Sequence, residues 1–418
     1  MKQLKCACLD GLDATCVDVE ATFTKGLPSF SIVGLASSSI QESKDRIKSA
    51  LLTNEFKFPP LKITINLSPS DIAKSGTHFD LSIALLVALQ NEKSVDFEDF
   101  FVFGELGLDG TLKDTKSIFV LILSLAQAGL VKNVLVPKSS VQKVSKIPNI
   151  NVYSVKTLNE AIDFFKFSNK EKCKNDIESF EYDCVNVKGK NYFYDNKYAL
   201  DFKEVKGQIL AKKAALIASA GNHNILFEGS PGCGKSMITK RLQYILPPMS
   251  IEEILEKAKL DSLDVNEPSF SPLRVFRSPH HSSTKASIFG GGSTTAKIGE
   301  IALSNNGLLF FDELPHFGKP ILEALREPLE DNKILISRVN SKINYPTKFM
   351  FVGALNPCPC GNMLSSKKEC RCNDVEISRY KNRLSDPFLD RMDLFVVMNE
   401  VSSSDSADVA SHDLHKKV

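Results

Sequence analysis

The rhythm of hydrophobic and polar positions changes several times along the chain. Residues 62–67 (Lys-Ile-Thr-Ile-Asn-Leu) alternate and read as a half-buried strand. Residues 80–89 are apolar over helical length and predict a buried helix. Residues 117–129 predict another, stopped by Gly129. The short apolar runs 133–137 and 151–155 predict strands, the first ended by Pro137. These elements describe one compact α/β domain over residues 1–165. From 166 to 201 charged and polar residues dominate, with scattered aromatics such as Tyr182, Tyr192 and Tyr194, the pattern of a connector. From 202 to 400 apolar runs return without alternation, at 224–227, 307–311 and 349–353. Continuous apolar strands suit a parallel sheet covered on both faces, so a second α/β domain is expected. Residues 401–418 are rich in Ser, Asp, His and Lys and read as a loose tail. No internal repeat is visible.

Composition narrows the class. At about 150 residues per domain, 418 residues fit two or three domains. A hydrophobic content of 43% and a charged content of 24% are those of a globular protein, and a chain of this size buries a core without disulfide staples. Disordered, collagen-like and disulfide-scaffold classes are thereby excluded. With 52 basic and 50 acidic residues the net charge is +2, which announces no nucleic acid but leaves room for a local basic groove. The longest apolar stretch, 118–131, is broken by Ser124, Gln127 and Gly129, and falls short of the about 20 residues a spanning helix needs. The N-terminus has no apolar signal core. The expectation is a cytoplasmic protein with no membrane partner, whose ten cysteines are reduced thiols or metal ligands.

The candidate chemistry begins at Gly229-Ser230-Pro231-Gly232-Cys233-Gly234-Lys235-Ser236, a complete G-x-x-x-x-G-K-[ST] run between an apolar strand and a helix-like stretch. Its glycines let backbone N–H groups turn towards phosphate oxygens, and the following helix points its positive end at the same anion. Lys235 is expected to reach the β- and γ-phosphates of ATP, and the Ser236 hydroxyl to ligate Mg²⁺. Further along, Leu308-Leu309-Phe310-Phe311-Asp312-Glu313 ends an apolar strand in two carboxylates. Asp312 would hold Mg²⁺ through water, and Glu313 would polarise the attacking water as general base. Asn356, beyond the next apolar strand, has an amide suited to the γ-phosphate or the attacking water; before Pro357 it is equally a turn residue.

Cys358 and Cys360, then nine residues, then Cys370 and Cys372 gather four thiols, the donor set of a tetrahedral Zn²⁺ site. C-x-C is tighter than the usual C-x₂₋₄-C spacing, and four reduced cysteines in a loop remain the alternative. A metal knuckle here would brace the loop carrying Asn356.

Several further runs resemble one family. They are Phe276-Arg277-Ser278-Pro279-His280-His281, Gly290-Gly291-Gly292, and Gly299-Glu300-Ile301-Ala302-Leu303-Ser304-Asn305-Asn306-Gly307. Leu325-Arg326-Glu327-Pro328-Leu329-Glu330, Asn356-Pro357-Cys358-Pro359-Cys360-Gly361 and Leu389-Asp390-Arg391-Met392-Asp393-Leu394 complete the set. Together they resemble the magnesium-chelatase-like AAA+ ATPases of the YifB/ComM type over nearly the whole chain. The resemblance implies a P-loop AAA+ three-layer αβα domain, assembly into a homo-hexamer, and ATP hydrolysis. For one member class it implies helicase-like branch migration of DNA during natural transformation. It implies a finger role for Arg391 towards a neighbouring subunit's nucleotide, with Arg383 as runner-up; by itself an arginine there is a surface salt bridge. It also implies an N-terminal Lon-protease-like domain, matched at 67–89 and 103–110.

Lon-type chemistry needs a serine nucleophile activated by a lysine. In Lys74-Ser75-Gly76-Thr77-His78-Phe79-Asp80 the serine position falls on His78 or Phe79, and the lysine position falls on Ile118 or Phe119. The expectation is a protease-shaped domain without protease activity, with His78 a satisfied or exposed loop histidine. Members of the family carry a further C-terminal helical lid, which this sequence, ending at Val418, is expected to lack, placing hydrolysis and ring assembly in doubt. Three functions share the ATP site: a DNA motor, a chelatase motor subunit inserting Mg²⁺ into a porphyrin, and a protein-remodelling ATPase. The fused N-terminal domain argues against the second. Lys285 and Lys297 are candidates for DNA contact and are otherwise solvated charges.

Overall fold

The computed structural model describes residues 2–418 except 93–94, 98, 168–169, 265–266, 292–296, 338–341, 403–404 and 408. Gly292 of the glycine run therefore lies outside the described residues. Two compact units are present, one formed by residues 1–181 with 265–268 and the other by 182–264 with 269–418.

The first unit is built on an eight-stranded sheet. Lys2–Asp10 and Asp13–Thr24 form its central antiparallel hairpin, turning through Gly11 at φ +68°. Lys62–Ser68 continues beside Asp13–Thr24, burying Ile63, Ile65 and Leu67 on one face as the alternation predicts. On the other side of the hairpin, Phe100–Val102, Asn133–Pro137 and Asn151–Val155 run parallel. The helices Asp80–Ala88 and Lys116–Gln127 are buried along most of their length, which accounts for their largely apolar sequence.

The second unit carries a wholly parallel five-stranded sheet. Its strands stand in the order Phe276–Arg277, Leu308–Phe311, Met350–Leu355, Ile225–Gly229, Leu394–Met398. The middle strands are buried on both faces, as their unalternated sequences require. Leu394–Met398 is an edge strand, and Phe395 and Val397 point outwards, exposed.

Two regions differ from the sequence reading. Within the proposed connector, Lys174–Asn175 pairs with Asn151–Val155 of the first unit. Asp183–Val187 and Lys190–Tyr194 form a hairpin that pairs with Met249–Ser250 of the second. The expectation is a connector partly packed on one neighbour; backbone pairing, invisible in a polar sequence, instead gives one part of it to the first unit and one part to the second. The expected loose tail contains the helix Ser411–Lys417. Leu414 is buried in the core of the second unit, and Ser411 Oγ accepts a 2.8 Å hydrogen bond from the Phe202 N–H. One leucine and one cap-like hydroxyl anchor an otherwise polar segment. Among the described residues no helix is long and apolar enough to cross a membrane.

Candidate functional site

Parallel strands deliver their loops to one end of a sheet, and ligands of such sheets bind beyond the carboxyl ends. At that end, Ile225–Gly229 runs into the glycine-rich loop and then into the helix Lys235–Leu242. The glycines are required by geometry. Gly234 sits at φ +100°, and a Cβ at Gly229 would lie 2.7 Å from both Cys233 Sγ and Met398 O. The loop is tied down by Gln208, whose Nε2 donates to Cys233 O at 2.8 Å and Asn399 O at 2.6 Å. No sequence signal pointed to Gln208.

The structure brings four of the predicted residues together. Ser236 Oγ donates to Asp312 Oδ2 at 2.7 Å. Lys235 Nζ donates to Asn356 Oδ1 at 3.1 Å and to the carbonyls of Gly229 and Ser230. Burial lowers the Lys235 pKa, opposed by the nearby Cys233 and Asp312. An ammonium held on loop carbonyls, a hydroxyl on a carboxylate and a helix N-terminus make a cradle that phosphate and a divalent cation can enter by exchanging these internal partners. This donor set fits Mg²⁺, which takes oxygen ligands from one or two side chains and substrate phosphates.

Glu313, at φ +52°, projects into solvent, and its Oε2 lies 3.5 Å from His281 Nε2. Sequence reading quoted His281 only as part of a resembling run; the contact with Glu313 is a tertiary one. Arg391 is not part of the cluster. It precedes Leu394, which is paired with Ile225, and so lies at the opposite end of the sheet from the glycine-rich loop, where it bonds Glu330 at 2.8 Å. Arg383 donates to Pro315 O at 3.0 Å.

The four cysteines converge. Cys358 Sγ lies 3.4 Å from Cys360 Sγ and 3.6 Å from Cys370 Sγ; Cys360 and Cys370 are 3.6 Å apart. All four sulfurs lie within 4.8 Å of one another, and none is in a disulfide. Backbone N–H groups of Asn362 and Arg371 favour the Cys360 thiolate, lowering its pKa to about 6.

In the first unit His78 is buried with both ring nitrogens partnered, the satisfied one of the two expected alternatives, in the core and not exposed. Its Nε2 lies 2.9 Å from Ala7 O, so that nitrogen carries the proton, and Nδ1 accepts from Ser117 Oγ at 3.2 Å. Burial pushes its pKa down to about 4, too low for an effective general base at neutral pH. Phe79, whose ring centroid is 4.5 Å from that of His78, and Phe119 are buried hydrocarbon.

Residues 201–406 match the family described as "Magnesium chelatase, subunit ChlI", and residues 19–140 match "Subunit ChlI of Mg-chelatase". The chain is 39% identical over 390 residues to the competence protein ComM of Haemophilus influenzae, covering 92% of this chain and 74% of that protein. It is 36% identical over 397 residues to the uncharacterized protein YifB of Escherichia coli, covering 92% and 73%. A magnesium-chelatase subunit ChlI homolog of Methanocaldococcus jannaschii is 26% identical over 188 residues, covering 38% and 50%.

Proposed function

Because the chain belongs to the YifB/ComM family of magnesium-chelatase-like AAA+-type ATPases, we propose that it binds and hydrolyses ATP with Mg²⁺ and uses the cycle to move along DNA. The observation that carries this reading is the pair of contacts Ser236–Asp312 and Lys235–Asn356 at the carboxyl end of a parallel sheet. Backbone groups of 229–235 cradle the phosphates, and Lys235 takes the terminal ones. Ser236 and Asp312 hold Mg²⁺, which when bound neutralises charge developing on the phosphates. Glu313 orients and deprotonates the attacking water, and Asn356 fixes its position. Arg391, far from its own subunit's phosphate loop, acts on a neighbour's nucleotide in a homo-hexamer. The exposed Phe395 and Val397 on the edge strand agree with assembly. The first unit is a Lon-protease-like scaffold without peptidase chemistry. The four cysteines hold Zn²⁺.

The DNA part rests on the relative named for competence; a helicase or branch-migration translocase is the form it takes. The test is the ATPase rate with and without forked or single-stranded DNA. Stimulation by DNA is expected. A rate indifferent to DNA but raised by a porphyrin-bound or protein target would replace this reading with chelatase-type or protein-remodelling activity.

A further inference from the structure

The cysteine cluster does not stand apart from the phosphate loop. Thiolate–zinc bonds of about 2.3 Å in a tetrahedron set sulfurs about 3.8 Å apart. The sulfurs of Cys358, Cys360 and Cys370 are 3.4 to 3.6 Å apart and Cys372 Sγ lies within 4.8 Å of each, a spread around that value and far from the about 2.05 Å of a disulfide. Cys358 is fully buried, and the Cys360 N–H donates to Cys372 Sγ at 3.4 Å, the kind of second contact that fixes a metal-bound sulfur.

The same turn forms a wall of the nucleotide site. Gly361, at φ +79°, closes the first C-x-C, its N–H donating to Cys358 O at 3.0 Å. A Cβ there would lie 2.7 Å from Pro231 Cδ, so the knuckle rests directly on the phosphate loop. Asn356, two residues before Cys358, receives the Lys235 ammonium. A cleft of about 390 Å³ is lined by Ser230, Pro231 and Gly232 together with Cys360, Lys367, Lys368 and the Glu400 carboxylate. Both lysines lie in the segment between the two cysteine pairs, so whatever ties the pairs together holds two cations at the mouth of the phosphate loop. That segment is also anchored through Ser365 Oγ, which donates to Glu400 Oε1 at 2.6 Å just beyond the edge strand.

We propose that zinc bound by Cys358, Cys360, Cys370 and Cys372 sets the nucleotide affinity of the phosphate loop, by pressing Gly361 against Pro231 and holding Lys367 and Lys368 over the phosphates. The proposal rests on the reading of residues 229–236 as a nucleotide site. Two ligands coupled through one rigid turn must affect each other equally. As zinc tightens nucleotide binding, nucleotide tightens zinc binding by the same factor.

The experiment uses the full chain. Metal content is measured first, and about one zinc per chain is expected. Zinc is then removed with a chelator under reducing conditions, and fluorescent ADP is titrated before and after zinc is restored. The stripped chain should bind ADP at least about fivefold more weakly, with recovery on adding zinc. Should stripping unfold the chain, two measurements on folded protein decide. The share of zinc that passes to a competing chromophoric chelator at equilibrium should fall in saturating ADP. The double substitution Lys367→Ala with Lys368→Ala should keep its zinc and lose affinity. Absence of zinc, before and after supplementation, overturns the metal site. Zinc present with unchanged ADP affinity and an unchanged equilibrium share of zinc on the chelator overturns the coupling. In either case normal ADP binding leaves the phosphate-loop reading standing, whereas a zinc-loaded chain that binds no ADP overturns that reading itself.

Discussion

Ser236 Oγ donates a 2.7 Å hydrogen bond to Asp312 Oδ2, joining the first turn of the helix after the glycine-rich loop to the end of the strand Leu308–Phe311. A hydroxyl and a carboxylate at that distance are placed to share one hard cation. Asp312→Asn keeps the shape and removes the charge. It should cut the Mg²⁺-dependent gain in nucleotide affinity by at least about tenfold and leave Mg²⁺-free binding nearly unchanged. Fluorescent ADP titrations with and without Mg²⁺ separate the two; an unaltered Mg²⁺ effect would remove Asp312 from the metal site.

Lys235 and Glu313 should separate binding from turnover. Lys235→Ala deletes the one side-chain cation bonded to Asn356 and the loop carbonyls. Charge-assisted bonds of about 2–3 kcal/mol imply a loss of affinity on the order of a hundredfold. Glu313 stands clear of the loop with His281 as its neighbour, so Glu313→Gln should keep the affinity and lower the ATPase rate by about 10² or more. Unchanged affinity in Lys235→Ala would sink the phosphate-loop assignment.

His78 makes acid stability a readout of the first unit. Burial holds its pKa at about 4, against the ordinary 6.5 that applies once the chain unfolds. Between those values the unfolded chain binds the extra proton, so stability rises with pH there and is lost as pH falls from about 6.5 towards 4. The contribution is at most about 3 kcal/mol. His78→Gln should flatten this dependence, measured as urea midpoints at pH values across the window; parallel profiles for both proteins would refute it. A neutral, weakly basic His78 bonded to Ser117 also predicts no ATP-dependent cleavage of casein.

Leu414 tests the docking of the last helix. It is buried in the second unit's core, whereas its neighbours in sequence are polar. Leu414→Ala should destabilise that unit by about 2–4 kcal/mol, seen as an earlier thermal transition that saturating nucleotide partly reverses. A shift within scan error would return residues 411–417 to the status of a loose tail.

What the sequence made legible were elements whose pattern is local. The strands at 62–68, 133–137, 151–155, 225–229 and 308–311 were readable because burial on one or both faces writes itself as alternation or continuous hydrophobicity. The glycine-rich loop was readable because its backbone demands glycine at fixed offsets. The hairpin 183–194 was not, since its residues are largely exposed and it gains its place by pairing with Met249–Ser250. Neither were the contacts of Gln208 with Cys233 and of His281 with Glu313, each made between groups distant in sequence. The cysteine spacing suggested a metal site, but only the fold sets Gly361 against Pro231.

DNA binding should be collective and electrostatic. The net charge of +2 gives one subunit little general attraction for a phosphate backbone. Lys285 opens the short helix Lys285–Phe289, and Lys297 is paired with Gly291 in the small strand pair against which that helix packs, so the two lysines stand on elements packed together. In the proposed ring those elements would be repeated around a single strand, and affinity should then require nucleotide-promoted assembly. Each phosphate neutralised on single-stranded DNA contributes about 0.7 to the slope of log affinity against log salt. Lys285→Ala with Lys297→Ala should therefore weaken binding and flatten that slope, with no change in sequence preference, since backbone contacts carry no base information. Anisotropy at about 50 and 200 mM salt, with and without a non-hydrolysable ATP analogue, reads all of this. A salt-independent affinity, or a double variant that binds as the parent does, would take these lysines out of the DNA path. No binding at either salt concentration, with the ring assembled, would favour a protein target for the motor.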